Sequence, residues 1–183
     1  MDIDDVIRRI SKGDKQAFAV IVMQYQQPIF SFLGRMSLSE AQAEDIAQET
    51  FVRAWRHLDG YQPMKAAFST WLFTIARNLA INELTSARSK NEFSIGEELP
   101  DMASEMPEPL QMLSIKQQHF HLQAALRQLN MQDRSVIGLA YVDELSMADI
   151  ARIEGDSLEA VKTRLYRAKE KLRKLMEKTY AQT

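Results

Sequence analysis

The chain has 183 residues, 45% of them hydrophobic, with a formal net charge of −2 and no cysteine. That length suits one large or two small domains. The absent cysteine excludes disulfides, thiol chemistry and cysteine-based zinc sites, and the near-neutral charge excludes a global pull towards nucleic acid.

The opening MDIDDVIRR is acidic and lacks a signal-peptide apolar run, and no stretch approaches the roughly 18 apolar residues of a membrane helix. A cytoplasmic chain with no membrane insertion is expected. Six glycines, five prolines and few β-branched runs favour an all-α fold.

Gly13-Asp14 precedes KQAFAVIVMQYQQ, with Asp14 a natural N-cap and Phe18, Ile21 and Tyr25 on the inner face. Residues 43–58, AEDIAQETFVRAWRHL, carry an apolar stripe of Ala47, Phe51, Ala54 and Leu58. Asp45, Gln48, Glu49, Arg53 and Arg56 lie off that stripe, where a partner can reach them. Residues 60–67, GYQPMKAA, form a turn-rich loop. The next helix, residues 68–89, puts Phe68, Leu72, Ile75 and Leu79 on a buried side. Thr74, Arg77, Asn78, Asn82 and Thr85 form its polar side. Such a side either reads bases or is a plain solvated face, and pattern alone favours the solvated face.

Residues 91–113 carry six acids (Glu92, Glu97, Glu98, Asp101, Glu105, Glu108), no base, and Pro100, Pro107 and Pro109. They show no apolar period, which is a linker composition. Two small helical domains are therefore expected, residues 1–90 and 114–183, joined by a flexible acidic linker.

In the second half, helices are expected over 114–129 and 132–142. SMADIARIEGDSLEAVKTRLYRAKEKLRK, from Ser146 to Lys174, then reads as two helices about a tight turn. Ala151, Gly155 and Val161 have the spacing of a helix-turn-helix: a small residue at the crossing, glycine at the turn, an apolar anchor on the second helix. Ser146 and Asp149 resemble a capping box, and Asp156 or Ser157 caps the second helix. At 100° per residue, Val161, Leu165, Ala168 and Leu172 fall on one side. Lys162, Thr163, Tyr166, Arg167 and Arg173 fall on the other. From Val161 to Thr183 there are eight bases (Lys162, Arg164, Arg167, Lys169, Lys171, Arg173, Lys174, Lys178) and two acids (Glu170, Glu177). A solvated surface helix accounts for the charge alone. The turn spacing favours a helix built for the DNA major groove, with the bases as its phosphate footprint.

No catalytic constellation is present: no G-x-S-x-G, P-loop, G-x-G-x-x-G or H-E-x-x-H occurs. His119 and His121 point about 200° apart on a helix, cannot share a metal, and read as solvent-facing. Neither an enzyme nor a metal or cofactor is expected.

Four motifs in order carry a family resemblance: GDKQAF; AEDIAQETFVRAWRHLDGY; FSTWLFTIARNLAINEL; and LNMQDRSVIGLAYVDELSMADIARIEGDSLEAVKTRLYRAKEKLR. Over about 10–90 and 114–176 the chain resembles the extracytoplasmic-function (ECF) RNA polymerase sigma factors of the sigma-70 family. The resemblance implies a factor that binds core RNA polymerase and directs it to promoters with −35 and −10 elements. It places clamp binding on Asp45, Gln48, Glu49, Arg53 and Arg56. It places −10 reading, with a flipped base, on Tyr61, Arg77, Asn78, Asn82 and Thr85. It places −35 reading on Lys162, Thr163, Arg164, Tyr166 and Arg167. It also implies an anti-sigma factor as partner. The chain departs from the family pattern at Glu159-Ala160, where a small pair is usual. There Glu159 either caps the helix or opposes a phosphate. It departs also at Asn130, where proline is common. A stand-alone dimeric helix-turn-helix regulator is the competing reading, but it leaves the helices of 43–89 unexplained. A helical sequestering protein is a third, disfavoured by the basic recognition face.

Overall fold

The computed structural model describes residues 3–91 and 110–180, which form eight α-helices and no strand. The first, α1 (Ile3–Ser11), was not expected. Its signal is Ile3, Val6, Ile7 and Ile10 at helical spacing, with Asp4 and Asp5 in the first turn and Arg8 and Arg9 in the last, complementing the dipole. Val6 is fully buried.

Asp14 caps a 3-10 turn rather than the helix itself, its Oδ1 accepting from the Ala17 N–H at 3.3 Å. That turn feeds α2 (Phe18–Arg35). The expected helix stops at Gln27, yet α2 runs through Pro28. An interior proline costs about 3 kcal/mol or more. Beyond it α2 buries Ile29, Phe32 and Leu33 completely, each worth about 1.5–3 kcal/mol, which outweighs the lost hydrogen bond.

Helix α3 (Glu40–His57) begins three residues before the expected start, because Ser39 and Gln42 form a capping box. Ser39 Oγ accepts from Gln42 N at 3.3 Å, and Gln42 Oε1 accepts from Ser39 N at 3.1 Å. Its buried face is Ala43, Ile46, Thr50, Phe51 and Ala54, with Ala47 only half-buried, so the stripe sits a little to one side of the expected one. Thr50 is tolerated there because its Oγ1 donates to the Ile46 carbonyl at 2.7 Å.

Helix α4 (Phe68–Asn91) differs more. Phe68, Leu72, Phe73, Ala76 and Ala80 are buried, whereas Ile75 and Leu79 are only partly so. The apolar arc is wide because α4 packs on α3 and also beneath a helix of the second half.

The second half comprises α5 (Leu110–Arg127), α6 (Met131–Ala140), α7 (Met147–Glu154) and α8 (Leu158–Tyr180). Helix extends to Asn91 on one side of the expected linker and begins at Leu110 on the other. The remaining stretch, 92–109, lies outside the described residues. Asn130 is the N-cap of α6, its Oδ1 accepting from Asp133 N at 2.7 Å. Asparagine thus supplies a cap where a proline could not.

Both halves share one core. Helix α6 packs on α2 and α7 packs on α4. The closest approach is at Gly138, where a Cβ would stand 2.9 Å from Phe32 Cδ2. Phe32 in turn meets Phe73 edge-on at 5.8 Å, so the α2–α6 crossing and the α2–α4 crossing are one packing problem. Phe73→Ala should therefore lower stability by about 3–5 kcal/mol. Urea denaturation followed by circular dichroism checks this; a loss under about 1 kcal/mol would mean that the α2–α4–α6 junction is loosely packed.

Candidate functional site

The helix-turn-helix is built from its turn outward. The Ser146–Asp149 capping box is complete: Asp149 N donates to Ser146 Oγ at 3.2 Å, and Ser146 N donates to Asp149 Oδ2 at 3.1 Å. Gly155 ends α7 with φ +71, a left-handed conformation that glycine adopts without a Cβ penalty. The Asp156 N–H reaches back to the Ala151 carbonyl at 3.0 Å, closing the turn. Ala151 and Val161 are buried, fixing the angle at which α8 leaves. Ser157 caps α8, its Oγ accepting from Ala160 N at 3.2 Å. Glu159 does not cap: it is exposed and pairs with Lys162 at 2.9 Å.

On α8, Val161 and Ala168 are fully buried and Leu165 and Leu172 partly so, as their stripe requires. Lys162, Thr163, Tyr166 and Arg167 are exposed, Tyr166 at 70%. Thr163, Arg164, Arg167 and Lys171 line an open depression of about 530 Å³, with the acids Asp133 and Glu159 at its edge. Arg164 differs from its neighbours. It lies only 60° from Val161 on the helix wheel and turns inward, to Asp156 at 2.7 Å and Glu154 at 3.7 Å. Lys171 is tied to the buried Asp133 at 2.7 Å.

The polar side of α4 divides. Asn78, Asn82 and Thr85 share one exposed line. Arg77 points about 100° away and does not share their face. It lies under α7, bonded to Glu154 through Nε at 2.9 Å and Nη2 at 2.8 Å. Tyr61 holds the loop at the helix start. Its OH donates to the Ala66 carbonyl at 3.1 Å, and its ring meets Phe68 and Trp71, each at 5.4 Å. Burial, with Asp4 nearby, pushes the Tyr61 phenol upward. Phe68 is core and Trp71 is half-buried.

On α3, Asp45, Gln48, Arg53 and Arg56 are exposed and Glu49 is half-buried, paired to Arg53 at 2.6 Å. Beside Gln48 runs a groove of about 470 Å³ floored by Val22, Phe30, Ala47 and Phe51. The α2 side of that groove escaped the sequence reading. Its signal is Val22, Gln26 and Phe30 at intervals of four, a second stripe beside the core stripe.

Among the described residues no group of three or more His, Asp or Glu could hold a metal ion, and no helix is long and apolar enough to cross a membrane. His119 is exposed but His121 is partly buried, contrary to the expected pair of solvent-facing histidines. Its ring lies 6.0 Å from that of Phe120.

A helix-turn-helix half packed on a helical half with a polar, aromatic-flanked helix is the architecture of an all-α protein suited to reading DNA. Residues 21–90 match sigma-70 region 2, and residues 119–172 match sigma-70 region 4. The chain is 35% identical over 185 residues to the ECF RNA polymerase sigma factor SigW of Bacillus subtilis, spanning 95% of this chain and 96% of that protein. Its fold is similar to that of CnrH in complex with the cytosolic domain of CnrY, with a TM-score of 0.69 at 24% identity over 94% of this chain and 95% of that one. It is also similar to the sigma factor RpoE in complex with the anti-sigma factor NepR from Bartonella quintana. There the TM-score is 0.66 at 25% identity over 87% of this chain and 96% of that one. The chain belongs to the ECF sigma factors, initiation factors that direct core RNA polymerase to promoters rather than enzymes.

One site residue has an acid-side signature. Burial works to raise the Asp149 pKa. Hydrogen bonds from Ser146 and Thr70, with the Arg152 charge, outweigh it and hold the carboxyl below its ordinary value. A depressed carboxylate stabilises the fold above its unfolded pKa, and that contribution is lost as pH falls through the folded value. The stability gap between the parent and Asp149→Asn should thus be full at neutral pH and shrink below about pH 4. Urea melts across that range read it; a gap independent of pH would assign the effect to packing.

Proposed function

We propose that this factor reads promoters with two separate ends while a third surface holds polymerase. Helix α8 takes the −35 element through Lys162, Thr163, Tyr166 and Arg167, with Arg164 as a flanking cation. Lysine and arginine suit guanine O6 and N7, and the Thr163 methyl suits thymine. Helix α4 and its leading loop take the −10 element: Asn78, Asn82 and Thr85 offer hydrogen bonds to a flipped base edge, Tyr61 an aromatic flank and Arg77 a cation. Asp45, Gln48, Glu49, Arg53 and Arg56 on α3 engage the polymerase clamp, beside the apolar groove of Val22 and Phe30. An anti-sigma factor covers these surfaces when the factor is idle, a reading supported by the RpoE–NepR neighbour. The factor acts in the cytoplasm, where polymerase works.

The observation that carries this reading is the exposed face of α8. Thr163, Tyr166 and Arg167 make no side-chain hydrogen bond or ion pair among the described residues, although neighbouring bases are committed internally. Run-off transcription with bacterial core polymerase over a promoter library tests it. Transcripts should start from two-element promoters, and core alone should yield none of them; absence of any such transcript would refute the proposal. Arg167→Ala should weaken use of the −35 element by roughly 1–3 kcal/mol, seen as reduced initiation on promoters that depend on that element. Equal initiation by parent and variant would place Arg167 on a merely solvated face. Gln48→Ala with Glu49→Ala should lower affinity for core polymerase in a fluorescence titration; an unchanged affinity would move the clamp surface elsewhere.

A further inference from the structure

The chain holds ten methionines and no cysteine, so its only oxidisable sulfur is thioether. Among the described residues two methionines stand clear of the fold: Met64, 98% exposed, and Met23, 66% exposed, whereas Met36 is fully buried. Met64 is also firmly held. Pro63 and Met64 are the central pair of a turn closed by the Lys65 N–H on the Gln62 carbonyl at 3.0 Å, and proline pre-sets the backbone of its position. The turn is braced at its foot. There Tyr61 Oη donates to the Ala66 carbonyl at 3.1 Å, and the Tyr61 ring packs on Phe68 and Trp71. A braced loop thus presents an apolar thioether to solvent, beside the exposed cation Lys65, at the head of α4. The fold gains little from that side chain, and its apolar surface is free for a partner.

We propose that Met64 is a reversible oxidation site whose sulfoxide weakens promoter opening. The proposal rests on the −10 role assigned above to α4 and its leading loop. Methionine is one of the side chains that enter between base steps and unstack them, and a cation beside it suits the adjoining phosphate. Peroxide changes that side chain and leaves the core untouched. One peroxide oxygen is transferred to Sδ, the O–O bond breaks and water leaves; sulfur is oxidised by two electrons and the peroxide is reduced by two. The product is a polar sulfoxide, whose S=O oxygen must shed its water to enter a base stack. A buried acceptor left without a partner costs enough to lower opening by about fivefold or more. Met64 reacts early because it is the more exposed of the two exposed thioethers, while Met36 is shielded in the core. A methionine sulfoxide reductase reaches the same exposed atom. It removes the oxygen as water at the expense of a dithiol, which becomes a disulfide, and restores the thioether.

Hydrogen peroxide on the full chain tests this, with peptide mass mapping to follow each methionine and the peroxide removed before core polymerase is added. The Met64 sulfoxide should form before any at Met36, with the thermal melt unchanged. Initiation by the treated parent should fall by about fivefold or more on a duplex promoter, and much less on a template already mismatched over the −10 element. Methionine sulfoxide reductases with a dithiol should restore it. Met64→Leu, which has no sulfur there, should keep its own untreated rate after the same exposure. Met64→Gln, a fixed polar side chain of similar length, should initiate on duplex promoter like the treated parent. An equal loss in the parent and in Met64→Leu would overturn the proposal. So would complete Met64 sulfoxide with unchanged initiation, or Met64→Gln initiating like the untreated parent. In each of those cases the promoter-reading proposal stands, whereas a parent that fails to initiate before any peroxide is added would overturn both.

Discussion

The arrangement of this molecule depends on a carboxylate that cannot be buried alone. An uncompensated charge taken out of water carries a penalty of several kcal/mol, and Glu154 has no exposed side-chain surface with which to reduce it. Its position is tolerable only because Arg77, Arg164 and Ser135 come from three different helices to meet it. That requirement fixes α7 over α4, sets the start of α8 against the end of α7, and holds α6 in between. The apolar seam of Phe32, Phe73 and Gly138 then follows, since α6 can approach α2 this closely only where it carries no side chain. The polar centre chooses the register, and the apolar seam supplies most of the attraction.

Charge segregation inside a nearly neutral chain does the rest. The α8 bases fall into two groups by what they already touch. Lys162 and Arg173 are in pairs along the helix, to Glu159 and to Glu170 and Glu177, and such exposed pairs are worth only about 0.3–0.5 kcal/mol each. Such pairs break at little cost, so Glu159 holds the Lys162 ammonium only weakly. Arg164 and Lys171 are held by Asp156 and the buried Asp133, and these set the pitch of the helix on its half. Arg167 and Thr163 stand between the groups, in the depression, with no such commitment.

How far the sequence discloses this depends on the range of the interaction. The helix-turn-helix was legible because its determinants are local: a glycine in a left-handed turn, a capping box three residues wide, a stripe repeating within one helix. The α8 face was legible for the same reason. The run of α2 through Pro28 was not, because the local rule against proline is overridden by Ile29, Phe32 and Leu33 burying against other helices. The burial of Phe73 and the inward turn of Arg77 were also illegible. Phe73 is buried against Phe32 of α2 and Arg77 is drawn under α7, the latter a contact between residues 77 apart in the chain. Helix α1 is weakly marked in the sequence because it is only 9 residues long and its ends are charged, although Val6 anchors it in the core.

Arg77 shows why a buried carboxylate is met by arginine rather than lysine. A guanidinium presents a planar fork that matches a carboxylate bidentately and a nucleic-acid phosphate or base edge in the same way. Lysine at this position would form a single-point contact with Glu154 and would be more strongly hydrated when released. Arginine instead meets the buried carboxylate with a fork, through Nε and Nη2 together. Asn78 and Asn82 cannot play this part. They are neutral and lie on the exposed line of α4, away from α7. The contact between the halves thus involves Arg77 and leaves the amides one residue and one turn away at the surface.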